Sequence, residues 1–489
     1  MDAYILPRIL NENGVSDLSS NRIITDSENK YYKYIIVLCA GIACVTGWFH
    51  LKWNEAIWEK MMDMPWGRPL YFLSIACFIV MILEIIWRIS LVIRYKPVQS
   101  VSDDELPTCT VVVPAFNEGR QVMDTLKSLA ASNYPKNKLQ IIAVDDGSQD
   151  DTWGWIQKAK QELGGRVQAI RLLKNRGKRC ALSCGFKKST GSILVTVDSD
   201  SMVNADTLRN LTSPFVISPR TGAIAGNIRI LNCHKGIIPR MLDVIFVFSF
   251  EFMRTSQSMV KTVMCTPGAL SAYRRDILMT VVKEWLDQTF FGQPAKIGED
   301  RAMTNLILRE GYDVLFQKNA VVYTEVPTTY SNLCKMYLRW SRSNIRESIA
   351  MSRFAFKPFR KDCLMQTRIN LLLCLRALIL TPLFIFVTWG LIFWQPVHFG
   401  TNTLVSIVIF SSIPAGFYGW KHSSFSAFWS YAYGFFWFFA LIWIMPYAMI
   451  TPHKSAWLTR QVKPRPNLMA YSFKGIVPST FTPSESKEG

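Results

Sequence analysis

None of the eleven cysteines in this 489-residue chain sits in a Cys-x-x-Cys pair, which argues against both a zinc site and a disulfide framework. Four of them, Cys39, Cys44, Cys77 and Cys374, lie inside apolar runs, and reduced thiols facing the cytosol fit the chain better than either. The first 30 residues are polar, so no cleavable signal peptide is expected. No nucleic-acid-binding motif accompanies the net charge of +19. The basic residues cluster beside hydrophobic stretches, so an anionic membrane face or an anionic small substrate fits better than nucleic acid. No internal repeat or low-complexity tract is present. What is abundant is apolar residues, 49% of the chain, and the mean hydropathy is positive. That composition expects a membrane protein carrying a soluble part.

The order of these parts is legible. After a polar, cytosolic N-terminus (1–31) come two transmembrane helices within 32–96, at Tyr34–Leu51 and Leu70–Trp87, each near the ~20 residues a bilayer-spanning helix needs. Arg88, Arg94 and Lys96 follow and place the next region in the cytosol. From 107 to 350, short β-rich runs (Thr110–Val113, Leu139–Val144, Ile193–Val197) alternate with helical patterns (Arg120–Ala131, Asp151–Leu163). This predicts an α/β domain with crossover helices and a ligand at the carboxyl ends of its strands.

An amphipathic interfacial segment is expected at 351–370. Two further transmembrane helices follow in 371–420, at Leu371–Trp394 and Thr401–Trp420. The aromatic run at 428–450, interrupted by Pro446, reads as interfacial or re-entrant, which keeps the basic segment at 451–470 cytosolic. A tail closes the chain at 471–489. A second aromatic, charged stretch, Arg240–Met259, is expected at the membrane surface rather than in a core. Arg376, inside an apolar run, either snorkels to the inner interface or lines a polar channel, the second being preferred.

Within the soluble part, three strand ends carry acids. "VVVPAFNEG" ends in Asn117 and Glu118, "IIAVDDGSQDD" in Asp145 and Asp146, and "VTVDSD" in Asp198 and Asp200. Like charges gathered on one rim repel unless a cation or a hydrogen-bonding ligand intervenes. Mg²⁺ or Mn²⁺ held by Asp200 and Asp198 and bridging to a diphosphate would resolve this. The plain alternative is a solvated Asp/Ser turn. The glycine-containing "KNRGKR" can bring Lys178 and Arg179 to a diphosphate, or be a solvated basic loop. "IGEDR" puts Glu299, Asp300 and Arg301 at a helix start, where acids cap the dipole; alternatively, Asp300 acts as general base on an attacking sugar hydroxyl. Arg339 with Trp340, and Trp457 with Arg460, are on their own packing or interface pairs.

Taken in order, "AFNEG", "DDGS", "NRGKR", "DSD", "GEDR" and "RW" resemble a processive family-2 glycosyltransferase of GT-A fold (a mixed sheet with flanking helices) fused to a helical transmembrane region. The resemblance is to hyaluronan synthases and rhizobial chitin-oligosaccharide synthases. It covers about Thr108 to Arg460, and "CTPGALSAYRRDIL", "QTFFGQPAKIGEDRAMTN" and "WLTR" carry it further. It implies that Asp145 helps hold a uridine, that Asp198 and Asp200 hold the metal-diphosphate and that Lys178 meets the diphosphate. It further implies that Asp300 is the catalytic base, that Trp340 stacks on the acceptor sugar and that Cys265 and Gly268 line the acceptor site. Trp457 and Arg460 would belong to a gating loop.

The expected enzyme polymerises UDP-sugars, most like UDP-GlcNAc and UDP-GlcA, into a β-linked extracellular polysaccharide and extrudes it through its own channel. Its partners would be the UDP-sugar donors, the growing polysaccharide and membrane lipids. It would sit in the plasma (inner) membrane with a cytosolic catalytic domain. A chitin-like, cellulose-like or alginate-like product, or a single-sugar transfer to a lipid, remains the alternative. Met336 stands where the family pattern has glutamine, which weakens any specific claim for hyaluronan.

Overall fold

Residues 31–65, 67–360, 365–376, 392–393 and 395–454 are described by a computed structural model. The soluble part is built on β1 (Cys109–Ala115), β2 (Leu139–Asp145), β3 (Val167–Arg171), β4 (Ile193–Thr196), β5 (Ser201–Val203), β6 (Thr221–Ile230) and β7 (Ser271–Arg274). A small hairpin of β8 (Thr289–Phe290) and β9 (Gln293–Pro294) and the long β10 (Asp313–Thr324) complete the strands. The main sheet has eight strands in the order β3-β2-β1-β4-β7-β6-β10-β5. β1 and β4 are buried at every position, because helices cover both faces of a sheet interior and only continuous apolar runs such as "TVVV" and "ILV" tolerate that. Gln121–Ala130 buries Val122, Leu126 and Leu129, and Lys178–Lys188 buries Ala181, Leu182 and Phe186.

β3, β2, β1 and β4 run parallel, as the alternation of patterns implies. β7, however, is antiparallel to both β4 and β6, and β5 is antiparallel to β10. The sheet is therefore mixed. The short β5 and β7 have too few residues for a period to show in the sequence.

Among the described residues three helices are long and apolar enough to cross a membrane: Lys33–Glu55 within Tyr31–Met62, Gly67–Arg94 and Pro396–His422. They contain the expected spans at 34–51, 70–87 and 401–420. Of the span expected at Leu371–Trp394, residues 371–376 are helical and 377–391 lie outside the described residues. Asn54 and Asn402 exchange side-chain amide hydrogen bonds of 2.8 and 2.9 Å between the first and last of these helices, a polar clasp suited to an apolar surround. Arg376 has an acidic partner: it donates to Glu84 Oε2 at 2.7 Å, and Arg88 donates to Glu84 Oε1 at 2.9 Å. The aromatic run near the end forms a pair of helical stretches, Phe425–Leu441 and Ile444–Ile450, bent by 45°, a geometry of either a broken span or a re-entrant loop.

Arg240–Met259 departs from expectation. It forms the helix Ile237–Val247, a π-helix Phe248–Arg254 and the turn Thr255–Met259. Most of its apolar residues are buried or half-buried in protein: Val244, Val247 and Phe252 cluster with Phe417 of the last long helix, and Phe248 stacks on Phe252 at 4.8 Å. Of its two acids, Glu251 is buried too, its charge met by Arg229 and Lys318 at 3.1 and 3.0 Å. In the segment expected at the membrane surface, Arg360 is buried against Asp313 at 3.1 Å.

Candidate active site

The parallel strands β1, β2 and β4 finish at one rim, with Ala115 opposite Asp145 and Val112 opposite Thr196. β7 runs the other way, and its first residue, Ser271, pairs with Thr196. The segment before it, with Cys265 and Gly268, is thereby delivered to the same rim. A cavity of about 1380 Å³ opens there, and its wall includes Asp146, Lys178, Asp198, Asp200, Cys265 and Gly268. Its lining also includes Glu299, Asp300 and Arg301 together with Arg339 and Trp340.

Lys178 opens the helix Lys178–Lys188. Its Nζ lies 2.5 Å from Asp198 Oδ1 and 3.2 Å from Glu299 Oε1. Burial opposes its charge, yet Asp198 and Glu299 raise its pKa. Gly268 makes room for this contact: a Cβ there would stand 2.6 Å from Lys178 Nζ. Asp146 accepts the Arg176 N–H at 2.9 Å and the Gly177 N–H at 2.8 Å, fastening the basic loop to the end of β2. Burial raises the pKa of Asp146. Asp200 is bonded by Ser201 Oγ at 3.3 Å and Thr324 Oγ1 at 3.5 Å.

Glu299, Asp300 and Arg301 begin the helix Glu299–Arg309 behind Gly298, which adopts φ 75°. A side chain at 298 is disfavoured both by that φ and by Ser343, whose side chain an added Cβ would meet. Asp300 Oδ1 accepts the Arg301 N–H at 2.8 Å and Oδ2 accepts from the Cys265 thiol at 3.5 Å. The two neighbouring acids are split by their surroundings. Burial, then the charge of Glu299, raises the pKa of Asp300; burial also works against Glu299, but Lys178 holds its pKa below the usual range. A carboxyl kept poised beside one kept ionised is a pattern found where protons are moved. Trp340 is exposed, with Tyr337 and Phe246 rings at 5.7 and 6.2 Å. Met336, one turn away, also lines the cavity.

The remaining candidates lie elsewhere. Asp145 is fully buried, accepting the Ser148 N–H at 3.0 Å and pairing with Arg171 at 3.3 Å. Arg179 turns inward to the Trp285 carbonyl at 2.5 Å and Gln288 Oε1 at 2.9 Å. Asn117 accepts the Gln149 N–H at 2.9 Å, and Glu118 accepts from Ser199 Oγ at 2.9 Å, so both shape the loop behind the rim. Trp457 and Arg460 lie outside the described residues.

Sequence patterns missed the π-helix wall. Ser249, Phe250, Met253 and Arg254 all line the cavity, and π-bulges recur at functional sites. The available signal was Glu251 and Arg254 set in an otherwise apolar, aromatic run.

Among the described residues no group of three or more His, Cys, Asp or Glu could hold a metal ion. Asp198 and Asp200 nevertheless share the cavity wall, and two hard carboxylates suit a divalent cation that fills the rest of its shell from a ligand.

The sequence profile of the family described as "Glycosyltransferase like family 2" matches residues 107–343. An N-acetylglucosaminyltransferase of Azorhizobium caulinodans is 30% identical over 267 residues, covering 53% of this chain and 67% of that protein. One of Mesorhizobium japonicum is 29% identical over 392 residues, 75% of this chain and 88% of that protein. A hyaluronan synthase of Streptococcus pyogenes is 30% identical over 276 residues, 55% of this chain and 64% of that protein.

Proposed function

From the premise that this chain belongs to glycosyltransferase family 2, with a GT-A-type fold, we propose that it is a membrane-embedded, processive, inverting synthase. It polymerises UDP-sugars into a β-linked polysaccharide and extrudes the product between its own membrane helices, with the catalytic domain on the cytosolic side of the plasma (inner) membrane. UDP-GlcNAc and UDP-GlcA are the donors tried first, since relatives include an N-acetylglucosaminyltransferase and a hyaluronan synthase. The observation that carries this reading is the convergence of Lys178, Asp198, Asp200 and Asp300 on one cavity of a chain that also has membrane-length helices.

In this reading Asp300 takes the proton from an acceptor hydroxyl, that oxygen bonds to the anomeric carbon, and the bond from that carbon to the diphosphate breaks. Lys178 meets the charge that develops on the leaving UDP, and Asp146 holds the loop that carries Lys178. Asp198 and Asp200 would hold Mg²⁺ or Mn²⁺, which when bound neutralises the diphosphate as a Lewis acid. Trp340 offers a ring for the acceptor sugar, and the cytosolic segment with Trp457 and Arg460 closes over the nucleotide.

The test is UDP release by the purified full-length chain in detergent with Mg²⁺ or Mn²⁺, given each donor alone and both together. Release that needs both donors, with a polymeric product, is expected. Donor binding without release under every condition would overturn the enzyme reading.

A further inference from the structure

Asp300 sits in the first turn of the helix Glu299–Arg309, and no side chain caps that turn, whose N-cap residue is Gly298. The first turn of a helix carries backbone groups without intrahelical partners and frays unless something holds it. Here the hold comes from outside the helix. Thr304 Oγ1 donates to the Asp300 carbonyl at 2.8 Å, and Thr266 meets that same oxygen through its backbone N–H at 3.0 Å and its hydroxyl at 2.8 Å. Behind Thr266, the Tyr273 hydroxyl stands 2.9 Å from Oγ1. All three side chains are buried.

The direction of these bonds follows from their hydrogens, since a hydroxyl has one to give. Thr304 gives its hydrogen to the Asp300 carbonyl, so the Thr266 hydroxyl must donate to Thr304 and the Tyr273 hydroxyl must donate to Thr266. The chain therefore runs one way, from Tyr273 through Thr266 and Thr304 to the backbone of Asp300. Tyr273 lies in β7 opposite Leu194 of β4, the strand that leads into Asp198. Thr266 follows Cys265, whose thiol donates to Asp300 Oδ2 at 3.5 Å. Two adjacent residues of one segment thus hold both the carboxylate and the carbonyl of Asp300, and they are themselves anchored to the strand that carries the donor-side acid.

We propose that Thr304, backed by Thr266 and Tyr273, is a positioning residue that sets Asp300 at the distance and angle it needs from a donor held at the end of β4. The proposal rests on the transferase reading above and deepens its account of the base. None of the three lines the active-site cavity, so their influence on the reaction passes through Asp300. A misplacement of about 1 Å at a reacting group costs about 10²-fold in rate, the scale on which a lost brace shows.

The experiment uses the full-length protein in detergent, with the kcat of sugar transfer expressed per UDP-binding molecule. Thr304→Val keeps the side-chain shape and removes the hydroxyl: kcat is expected to fall about 10- to 100-fold, with UDP affinity and acceptor KM within about twofold of wild type. Thr304→Ser, which keeps the hydroxyl, should restore most of that kcat. In Tyr273→Phe the Thr266 hydroxyl still donates to Thr304, so its kcat should lie between those of wild type and Thr304→Val. The rise of activity with pH should persist in Thr304→Val with its midpoint unmoved, because Asp300 still titrates. Thr212→Val is the control: Thr212 is buried, donates to Leu208 O at 3.0 Å in its own helix and does not line the cavity, so it should lower the melting temperature and leave kcat alone. A Thr304→Val protein that behaves like this control has lost only structure and overturns the proposal. So does a kcat loss that Thr304→Ser shares in full. If Thr304→Val does not fold, Tyr273→Phe decides, and a wild-type kcat there overturns the proposal as well. In each of these cases the transferase reading stands. A wild-type protein that neither binds UDP nor releases it from either donor removes that reading and this proposal with it.

Discussion

The Lys178 ammonium bonds Asp198 at 2.5 Å, joining the helix that follows the basic loop to the acid at the end of β4. With Glu299 on its other side at 3.2 Å, it is the charge that lets two acids share one wall. Lys178→Gln should weaken UDP binding by ~1.5–3 kcal/mol, the usual worth of a charge-assisted hydrogen bond. Calorimetric titration of UDP measures it, and an unchanged affinity would detach Lys178 from the diphosphate.

Gly268→Ala tests the same cluster without touching its charged residues. The added methyl would sit 2.6 Å from Lys178 Nζ and 3.4 Å from both Asp198 carboxylate oxygens, so it displaces the ammonium without removing a charge. Thermal unfolding should change little, because the cavity side is open, while UDP affinity drops. A large loss of melting temperature with full UDP affinity in the survivors contradicts this.

Asp300→Asn should reduce sugar transfer ~10²–10⁴-fold, the range ascribed to a general base, with UDP affinity within about twofold of wild type. Because burial and Glu299 raise the pKa of Asp300, the wild-type kcat/KM should climb with pH through a midpoint above the ~3.9 of an ordinary aspartate, and the variant should lose that limb. The sign for stability is opposite. An acid whose pKa is raised on folding binds more protons folded than unfolded, so its contribution declines as pH rises from the ordinary to the raised value. Asp300→Asn should therefore melt higher than wild type at neutral pH. A lower melting temperature at neutral pH would contradict the raised pKa.

Glu251 has the reverse behaviour. Burial works against its charge, but Arg229 and Lys318 hold its pKa at about 2, so its stabilisation is complete above the ordinary glutamate pKa and vanishes only as pH falls through about 2. Glu251→Gln leaves two cations facing an amide and should cost ~3–5 kcal/mol at neutral pH. Thermal unfolding in detergent reads this. The exposed pair Lys127–Glu162 is the control, and Glu162→Gln should leave the melting temperature unchanged.

Much of the site was legible because strand ends are local events. Apolar runs such as "ILVT" end abruptly in acids, and parallel pairing carries their ends to one rim whatever the rest of the chain does. Neighbours on one motif were not separable that way. Asp146 faces the cavity and Asp145 is buried, since successive residues at a strand end leave on opposite faces. Lys178 reaches the cavity while Arg179 turns to Trp285 and Gln288, since adjacent helical residues point about 100° apart.

The sequence by itself determined the membrane-length helices, the α/β alternation and the ordered motifs, because hydropathy, periodicity and short spacings are properties of contiguous residues. Tertiary structure alone decided that β7 runs antiparallel and brings Cys265 to Asp300, that Glu84 answers Arg376, and that the aromatic stretch around Glu251 is buried wall rather than membrane surface. Each of these joins residues far apart in the chain, and the partner that makes a buried charge tolerable cannot be read from the residues beside it.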